Sequence, residues 1–279
     1  MPGLINAHTH LFSQGKPLNP KLATPKGQRM VATFAHSPLG KPYMAATVRH
    51  NATTLLESGV TTIRTLGDVG YEVVTLRDQI DAGQILGPRI LASGPLMAIP
   101  EGHDAPLIAL TSGTPEEART AVAQNLKAGV NAIKIAATGI TDIQLENSKN
   151  VVGGMVSGAR QAHEAGLMIG VGTDTGMTFV PQYATWRELE LLVAYAGFSP
   201  AEALHAATAV NASILGVDAE TGSLEVGKSA DLLVLNANPL DDLRALEHPA
   251  LVIAAGHPVW RPAPKRFADI DALLDEAYA

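Results

Sequence analysis

Short blocks of apolar and polar residues follow one another along the first half of the chain. Four short apolar or β-branched runs predict buried strands: 4–7, 60–66, 89–92 and 131–135. Three amphipathic stretches lie between or before them and predict helices: 45–58, 71–82 and 114–128. The order is a strand and then helix and strand three times, which favours a parallel α/β architecture.

The intervening and later segments carry a different pattern. Residues 11–42 are rich in proline, glycine and lysine and predict a long loop, and residues 93–110 predict an irregular one. Further helices are predicted over 151–165 and 185–196 and from the Ser199 cap to about 209, with a strand over 167–174. After Gly216, antiparallel strands are predicted within 222–235 and as a pair at 251–255 and 258–260, before a last amphipathic helix.

Composition narrows the class of protein. The chain has 279 residues, 46% of them hydrophobic and 17% charged, which favours a compact globule with a large core. A net charge of −7 argues against nucleic-acid and polybasic membrane partners, and no apolar run is long enough to span a bilayer. The absence of cysteine excludes disulfides and thiolate zinc sites and favours a cytoplasmic location.

Candidate chemistry lies where the predicted strands end. His8 and His10 are two residues apart, so they share one face of a strand and form half of a metal site, unless they are a chance pair. Lys134, between two isoleucines, is either a site residue or an inward lysine paired with an acid. Asp174 ends an apolar run beside glycines and is either a ligand and proton acceptor or a helix cap.

These motifs together resemble the amidohydrolase superfamily, in its imidazolonepropionase-like and prolidase-like branch. The resemblance is carried in the family's order by six strings: 1–10, 59–64, 132–135, 172–176, 199–208 and 222–231. It implies a (β/α)8 TIM-type barrel with a divalent metal, zinc, at the strand ends. It also implies a small-molecule amide, dipeptide or cyclic amide substrate, hydrolysed at a C–N bond by a metal-activated water.

The resemblance also implies the residue roles. The metal ligands would be His8, His10, Asp174 and a carboxylated Lys134, with Asp174 as the catalytic proton acceptor. His103 and Tyr183 would contact the substrate. The histidines that hold a second metal in the family are not found, so one site is retained and the second is doubtful.

The spacing of the motifs departs from a complete barrel. Only residues 135–173 separate Lys134 from Asp174, whereas each barrel unit needs about 30 residues. We therefore expect an incomplete barrel over 1–216 that lacks strands 5–7 near 139–147. Sandwich strands over 217–262 and a C-terminal helix over 263–279 follow, and the N-terminal sandwich strands are also missing.

Two functions follow from this pattern. The first is a metal-dependent hydrolase of C–N bonds. The alternative is a catalytically impaired or non-catalytic remnant that associates with itself, because open barrel edges invite pairing with another chain. Either way a homo-oligomer is expected.

Overall fold

The computed structural model describes residues 1–17, 19–100, 102, 105, 107–136 and 143–277; of residues 20, 23, 25 and 143–151 it describes only the backbone. Within these residues the strands are β1 Leu4–Thr9, β2 Val60–Thr65, β3 Arg89–Leu91, β4 Leu96–Ala98, β5 Ala109–Thr111, β6 Leu232–Val234, β7 Leu251–Ala254 and β8 His257–Trp260. The α-helices are α1 Pro20–Ala23, α2 Pro25–Ala35, α3 Gly40–Glu57, α4 Glu72–Asp81, α5 Pro115–Lys127, α6 Ile143–Glu164, α7 Thr185–Ala196, α8 Pro200–His205, α9 Asn211–Leu215 and α10 Ala268–Ala277. A π-helical turn, Ala206–Val210, joins α8 to α9, and a 3-10 helix spans Leu243–Glu247.

Parallel segments form an arc that carries the candidate residues at one edge. Strands β1, β2 and β3 pair in that order and in parallel. On the free side of β1, Ala7 N donates to Val171 O at 2.9 Å, and Thr9 forms a parallel bridge with Thr175. At the other end, β4 pairs in parallel with β5, and Met97 bridges to Ile135.

This arc agrees with the α/β class, and the barrel that the resemblance implies stays a prediction. The predicted strands at 131–135 and 167–174 do not form ladders: the first makes one parallel bridge, at Ile135, and the second is followed by the bridge at Thr175. Residues 137–142 lie outside the described residues, and the backbone of 143–147 belongs to α6. The loss of barrel strands 5–7 near 139–147 and the domain boundaries therefore stay predictions.

The predicted loop over 11–42 is wrong, because α1, α2 and the start of α3 occupy much of it. Proline stands at the first positions of α1 and α2, where its missing N–H costs no intrahelical hydrogen bond. Each helix is also capped: Asn19 accepts from Lys21 N, and Thr24 Oγ1 accepts from Gly27 N at 3.1 Å. The prolines thus begin helices here. The loop predicted over 93–110 likewise contains β4 and the start of β5.

The largest cluster of buried apolar side chains in the described residues lies between the arc and its helices. It joins Ile63 of β2 to Leu55 of α3 and Leu189 of α7, each with 0% of its surface exposed. Full burial of such a side chain contributes about 1.5–3 kcal/mol, so this layer fixes the arc against α3 and α7.

The C-terminal strands form a small antiparallel sheet in the order β6-β7-β8. The pair at 251–255 and 258–260 is confirmed as β7 and β8, but the predicted strand before the Gly-Lys turn at 227–228 is wrong. The first residues of the chain take its place beside β6: Leu233 N donates to Met1 O at 2.9 Å, and Gly3 N donates to Asp231 O at 2.9 Å. Among the described helices, none has the length and apolar content that crossing a bilayer requires.

Candidate metal centre

The end of β1 presents two imidazoles to one carboxylate. His8 and His10 share a face of the strand, and their ring centroids lie 5.3 Å apart. Asp174 is brought beside them because its backbone N–H donates to His8 O at 2.9 Å. These three residues form a group whose ligand atoms all lie within 4.8 Å of one another.

A β-bulge aims Asp174 at the histidines. Ala7 N donates to Val171 O, and His10 N donates to Thr175 O, so four residues of β1 lie opposite five of the neighbouring segment. The extra residue is accommodated where Asp174 adopts a φ of 59°, in the left-handed region. Bulges of this kind redirect a side chain at the end of a sheet, which is what the site requires.

Electron-pair donors converge on one point. Asp174 Oδ1 lies 2.9 Å from His10 Nε2 and 3.3 Å from His8 Nε2. His10 Nδ1 lies 3.0 Å from Gly67 O, an acceptor, so the neutral ring carries its proton on Nδ1 and turns the Nε2 lone pair toward Asp174. Asp174 Oδ1 is buried and has no hydrogen-bond donor in the part of the chain that is described. Two imidazole lone pairs and a carboxylate oxygen without a shared proton fit a divalent cation.

The electrostatics of the three groups differ. Burial lowers the pKa of His8 to about 4, and the charges of His10, Lys134 and Arg64 act in the same direction. Burial also opposes charge on His10, but the Asp174 carboxylate beside its Nε2 and Gly67 O beside its Nδ1 outweigh this effect and raise its pKa. For Asp174, burial alone would raise the pKa, yet His10, His8 and Lys134 together lower it. At neutral pH the site therefore offers an anionic carboxylate and an unprotonated His8.

Lys134 lies at the next parallel segment of the arc. Its carbonyl accepts from Met97 N at 2.8 Å, and Ala136 N donates back to Met97 O, so the backbone around Lys134 is fixed to β4. The charge of Lys134 lowers the pKa of both His8 and Asp174, which places its side chain within electrostatic reach of the centre. Its role as a ligand stays a prediction.

Two other predicted residues have different surroundings. Tyr183 is 2% exposed, and its hydroxyl accepts from Phe267 N at 2.9 Å, so this oxygen ties the segment before α10 to the arc. Its role in substrate contact stays a prediction that these contacts do not support. His103 lies outside the described residues.

Sequence reasoning missed the amides that support the centre. Gln182 Nε2 donates to His10 O at 2.7 Å and to Ser13 O at 2.9 Å, which fixes the chain just after the ligands. Asn6 Oδ1 accepts from Thr173 N, and Asn211 bonds to both β1 and Val171. Buried amides carry no pattern in a sequence that distinguishes them from surface ones, so no signal pointed to them.

The sequence also matches a known protein family. The sequence model of the Amidohydrolase family matches residues 1–152 and 142–259. The chain belongs to the amidohydrolase family. Among curated amidohydrolase relatives, the imidazolonepropionase of Symbiobacterium thermophilum is 41% identical over 78 residues, which is 28% of this chain and 18% of that protein. The ochratoxinase of Aspergillus niger is 39% identical over 92 residues, 33% of this chain and 18% of that protein. The match thus spans less than a fifth of the length of either relative.

Solved amidohydrolase structures match over far more of the chain. A structure from Bifidobacterium longum, named as a prolidase, is 66% identical, with a TM-score of 0.85 over 100% of this chain and 85% of that chain. A Xaa-Pro dipeptidase with methionine bound in its active site has a TM-score of 0.72 at 22% identity, over 93% of this chain and 86% of that one. The second likeness establishes the fold alone. The suspected branch, imidazolonepropionase-like and prolidase-like, is confirmed.

Proposed function

We propose that this amidohydrolase is a metal-dependent hydrolase of carbon–nitrogen bonds in small amides, dipeptides or cyclic amides. One observation carries the proposal: candidate ligand atoms of His8, His10 and Asp174 lie within 4.8 Å of one another, and Asp174 Oδ1 is buried without a hydrogen-bond donor in the described chain. The histidine and carboxylate set suits zinc. The prolidase and imidazolonepropionase names among the relatives support the bond class.

The residues of the centre have separate roles in the proposed reaction. His8 and His10 hold the cation from one face of β1, and Lys134, carboxylated on its amine, is proposed as a further ligand. A divalent cation in this place supplies Lewis acidity toward a water and a carbonyl oxygen. Asp174 accepts the proton of the attacking water, because its lowered pKa keeps it anionic and the bulge holds it beside the imidazoles.

Metal content and hydrolysis test the proposal together. Purified protein is assayed for bound zinc and for hydrolysis of a panel of dipeptides and N-acyl amino acids with added zinc or manganese. We expect about one zinc per chain and a loss of about 10²–10⁴-fold in activity for Asp174→Asn. His10→Asn should lose the metal itself.

His163→Gln is the matched control, because this imidazole stacks on Phe198 with centroids 4.0 Å apart and is not in the metal group. It should keep both zinc and activity. Two tightly held ions per chain would contradict the single site, and hydrolysis that persists in Asp174→Asn would contradict the role of this carboxylate.

A second candidate function is a non-catalytic, self-associating remnant of an amidohydrolase. It is favoured by exposed apolar side chains along the two outer segments of the arc: Ile135 at 68%, Leu167 at 63% and Met168 at 65%. This second function would be favoured if the protein binds zinc, is oligomeric and hydrolyses no substrate in the panel.

A further inference from the structure

An asparagine amide interrupts the ladder that joins the two halves of the metal centre. Ala7 N donates to Val171 O, and in a regular parallel ladder Val171 N would then donate to Ile5 O. It does not. Val171 N donates to Asn211 Oδ1 at 3.0 Å, and Asn211 Nδ2 donates to Ile5 O at 2.6 Å. The side-chain amide is therefore interposed between the strands, as donor to one and acceptor from the other.

The local chain is built to admit this amide. Asn211 is 0% exposed and also donates to Val171 O at 2.8 Å, so all its polar groups are used. A Cβ on Gly170 would collide with Asn211 Oδ1, and a Cβ on Gly172 would meet His8 Cβ at 3.0 Å. The two glycines that flank Val171 thus make room for Asn211 on one side and for His8 on the other.

The π-helical turn places Asn211 beside the strands. Ala206–Val210 ends immediately before Asn211, and such a turn inserts one residue into a helix and rotates everything after it. Ala207 before Asn211 packs in the largest buried cluster, and Ala212 after it packs in a cluster with Ile5 of β1; both are 0% exposed. A continuous α-helix would turn position 211 by roughly 100° away from the strands.

We propose that Asn211 is a positioning residue of the metal centre, which sets the separation between the His8–His10 strand and the segment that carries Asp174. The inference rests on the proposed metal site. Its direct contacts are with Ile5 and Val171, three residues before His8 and Asp174 respectively, so it acts on the ligands through the backbone. Asn6 holds the next rung, where its Oδ1 accepts from Thr173 N at 3.2 Å.

Zinc affinity and amide exchange in Asn211→Ser test this role. A serine hydroxyl cannot span both strands, so we expect zinc affinity, measured by competition with a chelator, to fall at least tenfold. In the metal-free protein, the Val171 and Asp174 amides should exchange with solvent faster than in the wild type.

Asn125→Ser is the matched control. Asn125 is also 0% exposed and makes two side-chain bonds, to Tyr71 at 2.8 Å and Pro95 at 3.0 Å, away from the ligands. It should lose a similar amount of thermal stability while its zinc affinity stays within twofold of the wild type. Equal zinc affinities in Asn211→Ser and the wild type, or equal losses in both variants, would overturn the proposal.

A further variant and a measurement on the wild type distinguish failure of the Asn211 proposal from failure of the proposed function. Gly170→Ala displaces the Asn211 amide without removing it. This variant is used if Asn211→Ser does not fold, and we expect it to lower zinc affinity as well. In the metal-free wild type, slow exchange of the Val171 amide supports the interposed bond, and rapid exchange overturns it. Failure of the wild type to bind zinc would reject the proposed function, whereas the exchange result judges Asn211 by itself.

Discussion

At the scale of single residues, the sequence predicted the side chains that group together at the end of β1 but not the amides that support them. His8 and His10 were predictable because a strand repeats every two residues, and Asp174 because it ends an apolar run. The bulge that turns Asp174 toward them depends on amides distant in sequence, such as Asn211, and no local pattern encodes that contact. Tyr183 was predicted from its position after Asp174, yet its hydroxyl bonds to Phe267 N.

Asp68 gives a pH-dependent prediction at this scale. The carboxyl is 1% exposed, and burial raises its pKa to about 7, despite bonds from Thr65 and Gly94 N to its Oδ2. In the unfolded chain the pKa lies near 3.8, so between about pH 4 and pH 7 the folded state binds the proton more tightly. Its contribution to stability is therefore present at low pH and is lost as the pH rises toward 7.

Asp68→Asn removes this contribution of Asp68 to the pH dependence of stability. Relative to the wild type, the variant should gain stability between pH 4.5 and pH 8 by on the order of a few kcal/mol. Urea unfolding of both proteins at the two pH values measures the difference, in which the other carboxyl groups cancel. A difference that stays constant with pH would show that Asp68 titrates normally.

At the scale of elements, periodic stretches were predicted well and proline-rich ones were not. The helix after Thr114 is confirmed with its capping box, because both the cap and the amphipathic pattern are local. Helices α1 and α2 were missed because proline indicates either a break or a helix start, and only the cap that precedes it separates the two. The strand predicted near Gly222 failed because its place beside β6 belongs to the first residues of the chain, a pairing across more than 200 positions.

The start of α2 supplies a prediction for an element. Thr24→Ala removes the acceptor of Gly27 N, and we expect the free energy of unfolding to fall by about 1 kcal/mol. Thr33→Ala is the control in the same helix, since Thr33 only bonds back to Arg29 O and alanine favours helix. Urea titrations followed by circular dichroism compare them. If the two substitutions have equal effects, Thr24 does not cap a helix.

At the scale of the whole molecule, the outer segments of the arc predict self-association. Ile135 and Met168 are 68% and 65% exposed, and they lie on extended segments whose outward backbone groups have no partner within the described ranges. Unpaired edges with apolar side chains pair readily with another chain.

Charged substitutions at these edges test that expectation. Ile135→Lys together with Met168→Lys should shift an oligomeric wild type toward monomer in analytical ultracentrifugation, because lysine opposes pairing of edges. Val226→Lys, at a fully exposed valine in the turn before β6, should leave the oligomeric state unchanged. A wild type that sediments as a monomer at high concentration would contradict the prediction.

The first nine residues belong to two different sheets of the molecule. Met1 and Gly3 are bonded alongside β6 and Asp231, and the chain continues without a break into β1 and the two histidines. The small sheet cannot open without freeing the beginning of the strand that holds the ligands. Denaturation that starts in the C-terminal sheet should therefore also release zinc bound at the proposed centre, and both losses should occur in one cooperative transition. A heating curve followed by released zinc and one followed by circular dichroism should then superimpose.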